Sequence, residues 1–94
     1  MKGVRNLKLS VNFIKHGKRF VAYSPALDIS TVGTSEADAR NKFEEIVEIF
    51  FEEVHEAGTT GEALSDLGWK KVRKQWQPPE VSKRSVGVNI PTLA

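Results

Sequence analysis

The sequence predicts an α+β domain, a two-layer sandwich in which one long helix covers a small, mainly antiparallel sheet, in the order β-β-β-α-β. Three observations carry this. From residue 7 to residue 32 apolar side chains recur at every second position, interrupted by the turn formers Gly17 and Pro25. From Ser35 to Gly58 the apolar spacing changes to steps of three and four, the helical period. After Gly58 only short patterned segments remain, so a single long helix must cover the sheet.

The strands come first. Leu7, Leu9, Val11 and Phe13 alternate with Lys8, Ser10 and Asn12, which predicts a strand to about Ile14 with one buried face. Lys15-His16-Gly17-Lys18 follows, and Gly17 supplies the positive φ that a tight hairpin needs. Arg19 to Ser24 is the returning strand, rich in aromatic and β-branched residues, and Pro25 stops its ladder. Ala26-Leu27-Asp28 makes a bend. Ile29 to Val32 is a third short strand, closed by Gly33.

Ser35 then offers a helix N-cap, with Asp38 three residues on as an acidic variant of the capping box. Glu36 and Asp38 suit the positive end of the helix dipole. The helix is expected from Glu36 to about Ala57, with Gly58 ending it. Ala39, Phe43, Ile46, Val47, Phe50, Val54 and Ala57 form its sheet-facing stripe. Thr60 to Leu67 reads as a two-turn helix ended by Gly68, and Trp69 to Trp76 as a fourth strand. Pro78-Pro79 breaks the chain. Val86, Val88 and Ile90 alternate within Ser85 to Ile90, which fits a last strand or a sheet edge. The chain is thus read as one domain over 1–94, with a core at about 7–76 and a proline-containing tail at 77–94.

Composition bounds the function. A chain of 94 residues is one domain, and 39% hydrophobic with 28% charged residues is a globular balance rather than a disordered one. No apolar run is long enough to span a membrane, and no apolar segment follows the basic start, so neither a membrane span nor a signal peptide is expected. The absence of cysteine removes disulfides, thiolate catalysis and thiolate-bound zinc, and a reducing, cytoplasmic setting is the simplest inference. The net charge of +2 conceals a segregation. Lys2, Arg5, Lys8, Lys15, Lys18 and Arg19 meet no acid in residues 1–20. Residues 35–67 hold ten acids against Arg40 and Lys42. Lys70, Lys71, Arg73, Lys74, Lys83 and Arg84 face only Glu80 in residues 68–94. Such a chain presents faces of opposite sign.

Glu44, Glu48, Glu52 and Glu56 are spaced four apart on the helix, and Glu45 and Glu53 add to them. Each like-charge pair at that spacing costs a few tenths of a kcal/mol, or about that. A solvated face is the plain account; an acidic docking surface for a basic partner is the sharper one. Ile49 falls among the acids and Phe51 borders the apolar stripe, so both are candidate partner contacts, as is Tyr23. Lys70, Lys71, Arg73 and Lys74, flanked by Trp69 and Trp76, combine charge with stacking surfaces and are candidate nucleic-acid contacts. The plainer account of these bases is an edge strand protected by lysine. His16 in a turn and His55 at a helix end have no orienting carboxylate in the sequence, so no metal, cofactor or acid–base role is expected of them. Gly58-Thr59-Thr60-Gly61 lacks the lysine and preceding strand of a phosphate loop.

The segment Phe20-Val21-Ala22-Tyr23-Ser24-Pro25-Ala26-Leu27, then a short strand to Gly33 and a helix entry with Ser35, Asp38 and Ala39, resembles the HicB family of antitoxins. Phe20, Ala22, Pro25 and Leu27 match the family's "Y-x-A-x-x-P-x-L" segment, and Thr34 stands where the family has Asp. Leu67-Gly68-Trp69 is similar to an "L-G-W/F" element that follows the family's long helix. The resemblance covers residues 7 to 76. It implies a partial RNase H-like fold and a non-catalytic role, in which the chain binds and silences a small basic, mRNA-cleaving toxin of the HicA type. It also implies a homo-oligomer, a dimer or tetramer joined through exposed strand edges. Many family members carry a C-terminal DNA-binding module; here only 15 residues follow Pro79, which is too few for its helices. RNase H-like metal chemistry needs an Asp on the first strand, and Leu7 to Ile14 holds no acid. An RNA- or DNA-binding module, or an orphan oligomer with no toxin, is the alternative reading.

Overall fold

A computed structural model describes residues 7–92; Lys2 and Arg5 of the basic N-terminal segment lie outside them. Strands β1 (Asn12–His16), β2 (Arg19–Ser24) and β3 (Ile29–Gly33) form an antiparallel sheet in the order β1-β2-β3. Helices α1 (Glu36–Glu56) and α2 (Thr60–Asp66) follow, then a hairpin of β4 (Lys70–Val72) and β5 (Gln75–Gln77) that forms its own small sheet. The expected α+β architecture of strands followed by a long helix is present.

His16 pairs with Arg19, so Gly17 and Lys18 are the two loop residues, and Gly17 takes φ +64°. β1 starts at Asn12, which pairs with Tyr23, rather than near Leu7. The reason lies in β2: one residue past Tyr23 the chain reaches Ser24 and then Pro25, which has no N–H to offer a ladder. Leu7, Leu9 and Val11 still pack half-buried against the core, so the predicted buried face is kept without strand pairing.

α1 covers one face of the sheet, mainly over β3 and β2. Ala22, Ala39 and Phe43 are buried between the layers. The approach is close at Gly33, where a Cβ would meet the Ala39 amide nitrogen and lie 2.7 Å from its Cα. The Thr31 hydroxyl donates to the Ala39 carbonyl at 3.0 Å and ties β3 to the helix. A second cluster, Ala26, Leu27, Leu64 and Trp69, joins the β2–β3 bend to α2 and to the start of the segment that leads into β4. The Trp69 indole Nε1 donates to the Ala26 carbonyl at 2.8 Å, across 43 residues. Phe51 stacks edge-on against Trp69, with ring centroids 6.1 Å apart. Ser24 is fully buried, and its hydroxyl has no hydrogen-bond partner among the described residues.

Three expectations are corrected. Ile46, placed in the helix stripe, is 39% exposed, and Ala57 is exposed too; Phe51 takes a place in the core instead. Trp69 to Trp76 is not one strand but the β4–β5 hairpin, reversed by Arg73 (φ 50°) and Lys74 (φ 66°). Neither residue type announces a turn of that hand, which costs a non-glycine residue about 1–3 kcal/mol. Ser85 to Ile90 forms no strand: Val86, Val88 and Ile90 are 76%, 74% and 71% exposed. Among the described residues no strand pairs with the segment after Pro78-Pro79 to complete a ladder. The Cα radius of gyration is 16.3 Å; about 12 Å is usual for the length.

Candidate functional site

α1 starts where the sequence places it. The Asp38 N–H donates to the Ser35 hydroxyl at 3.0 Å. Asp38 Oδ2 accepts from the Thr34 N–H at 2.9 Å and pairs with Lys42 Nζ at 3.1 Å. The bond from the Thr34 amide, and then that from Lys42, hold the Asp38 carboxyl below its ordinary range. The reciprocal arm of the cap thus lands on Thr34, one residue before the cap itself. At the other end Ala57 caps the helix and Gly58 turns away with φ +70°.

Ala39 and Phe43 turn one face of the helix to the sheet, and the acids face away from it. Glu44, Glu45, Glu48, Glu52, Glu53 and Glu56 are all exposed. Of these only Glu44 has an ion pair among the described residues, with Arg40 at 3.3 Å, and both side chains are largely solvated. Such a pair contributes no more than about 1 kcal/mol. The face therefore presents a nearly uncompensated negative strip. Ile49, 45% exposed, lies on the flank of that strip, where Ile46 joins it. Phe51 does not; its ring is committed to Phe50 and Trp69.

Tyr23 lies elsewhere. Strand alternation puts Ala22 and Ser24 under α1, so Tyr23 points to the uncovered side of the sheet. Its hydroxyl donates to Asp28 Oδ1 at 3.0 Å, and that bond raises the phenol's pKa. Asp28 itself sits at φ 53°. The acidic strip and Tyr23 are thus on opposite layers, and one flat partner surface does not reach both. The same uncovered face carries a cross-strand row that sequence inspection passed over: Ile14, Val21 and Val32 are in register, with Ile14 51% and Val32 46% exposed. The parity of β2 was the available signal, since Val21 falls opposite to Ala22.

The candidate nucleic-acid residues divide. Lys70, Lys71, Arg73 and Lys74 are exposed on the hairpin. Trp69 is 3% exposed and hydrogen-bonded, so its ring faces are closed to a base. Trp76 is half-buried against the core, with Lys71 Nζ 5.9 Å from its ring centroid. His16 is exposed at the end of β1 and His55 in the last turn of α1. Among the described residues no group of three His, Cys, Asp or Glu side chains is placed to hold a metal ion, and no helix is long and apolar enough to cross a membrane. The best-defined depressions are shallow, one bordered by Arg19, Val32, Gly33, Thr34 and Lys42, the other around the β1–β2 turn. The chain matches no known family model, no curated protein and no solved structure.

Proposed function

We propose that this chain is a non-catalytic, HicB-like antitoxin domain that binds and neutralises a small basic RNA-cleaving toxin of the HicA type. The observation that carries the reading is the exposed acidic face of α1, with Glu44, Glu48 and Glu52 in line and Ile49 beside them. A protein that cleaves RNA must offer a basic surface to phosphates, and a pre-formed acidic face competes for that surface. An isolated helix would be more stable with lysine at alternate positions, so folding alone gives no reason for the strip.

The residues behind the resemblance have structural roles in this chain. Gly33 permits the close entry of α1, Ser35 and Asp38 cap it, and the bend at Pro25 to Leu27 is held by Trp69. In this reading the first sheet and α1 are the partial RNase H-like core, which acts in the cytoplasm. Among the described residues the outer edges of β1 and β3 have no strand partner, and in this reading they join copies into a dimer or tetramer.

The test is co-purification of the tagged chain from its native host, followed by association kinetics with the protein that elutes. A small basic ribonuclease, in stoichiometric amount and silent in the complex, is expected. Glu48→Lys with Glu52→Lys should slow association at least tenfold or so at low salt, with a smaller effect at high salt. An unchanged on-rate would remove the acidic strip from the interface.

A further inference from the structure

The β4–β5 hairpin is a charged surface of opposite sign to α1. Lys70 and Lys71 lie on β4, and Arg73 and Lys74 make the reversal. None of the four has an ion pair among the described residues. Consecutive positive φ values define the mirror-image turn that Asn-Gly or Asp-Gly fills with least strain. Here φ values of 50° and 66° fall on Arg and Lys. Their side chains are exposed, so local packing does not account for the choice. The strained tip holds two long cations outward, with two more on the strand behind them.

We propose that this hairpin grips the phosphodiester backbone of double-stranded nucleic acid. Single-strand binding draws on open aromatic faces, and here Trp69 is buried and Trp76 is half-buried beneath Lys71. What remains is charge without stacking, which suits phosphates and carries no base readout. The acidic face of α1 repels the same phosphates, so the duplex meets the hairpin and not the helix. This contact goes beyond the antitoxin reading and does not depend on it.

Binding of the full chain to three fluorescent probes tests it: a DNA duplex, an RNA duplex and a single-stranded RNA of equal length, between 50 and 200 mM salt or thereabouts. A duplex should bind more tightly than the single strand, and preference between DNA and RNA identifies the natural source. Log affinity should fall against log salt with a slope of about −3.6 for four contacts. Arg73→Asn with Lys74→Gly should cut that slope by about 1.8 and weaken binding by tens-fold, or roughly so, at 0.1 M salt. The same double substitution supplies the favoured turn, so its melting temperature should rise, which separates lost contact from lost fold. Lys15→Gln with Lys18→Gln removes equal charge from the other hairpin and should change the slope much less. No duplex binding at 50 mM salt or so, tighter single-strand binding, an unaltered slope in the Arg73/Lys74 variant, a lowered melting temperature, or an equal effect at Lys15 and Lys18 would each overturn the proposal.

Discussion

Trp69→Phe is the substitution whose consequence is best defined by the structure. The indole is 3% exposed and donates to the Ala26 carbonyl at 2.8 Å. Phenylalanine keeps the apolar character and an edge contact to Phe51 but has no donor. The Ala26 carbonyl loses that bond in a buried setting, at a cost of about 1–3 kcal/mol. The space left by the missing ring atoms adds about 1 kcal/mol. The sum, about 2–4 kcal/mol, is a large part of the roughly 5–14 kcal/mol that a chain of this length commands. At about 4–8 °C per kcal/mol for small domains, the melting temperature should fall by about 8–32 °C, followed by far-ultraviolet circular dichroism. Trp76→Phe is the internal control. Trp76 is already half-exposed, so its loss should cost clearly less. A fall of under about 4 °C for Trp69→Phe would refute the claim that this bond fastens the β2–β3 bend to the chain after α2.

Three further substitutions, at Gly33, Gly61 and Asp38, have defined outcomes. Gly33→Ala puts a methyl group against the Ala39 backbone and should cost at or above the upper end of about 1–3 kcal/mol. Gly61→Ala, whose Cβ would meet only a Trp76 ring atom at 3.7 Å, should be neutral or stabilising in the same thermal assay. Asp38 has a folded pKa below its unfolded one, so the stability it lends is complete above the unfolded value and is lost as pH falls through the folded value. The melting-temperature gap between the parent and Asp38→Asn should therefore be widest near neutral pH and close below about pH 4; a gap that persists unchanged in acid would contradict the assignment.

Much of the first two-thirds of the chain was legible. Ser35, Asp38 and Gly58 mark the ends of α1 because capping depends on the few residues at each terminus. Gly17 marks the first hairpin because positive φ favours a residue without Cβ. The β4–β5 hairpin was not legible, since Arg73 and Lys74 adopt a turn that their side chains disfavour. Nor was the role of Phe51, which lies close to the helix stripe and could be given to core or surface by spacing alone. The acidic strip was visible as spacing, and the helix rotation leaves it exposed. The separation of Tyr23 from that strip needed the register of β2 beneath α1.

The sequence by itself determined the local periods, the caps, the first turn and the segregation of charge, because each is decided by residues a few positions apart. Tertiary structure alone decided that Trp69 is a buried anchor, that the Ile14–Val21–Val32 row lies uncovered, and that Val86, Val88 and Ile90 find no ladder. A periodic pattern states which side chains share a face. What covers that face, and whether a strand finds a neighbour, depends on segments distant in the chain, whose meeting no local pattern encodes.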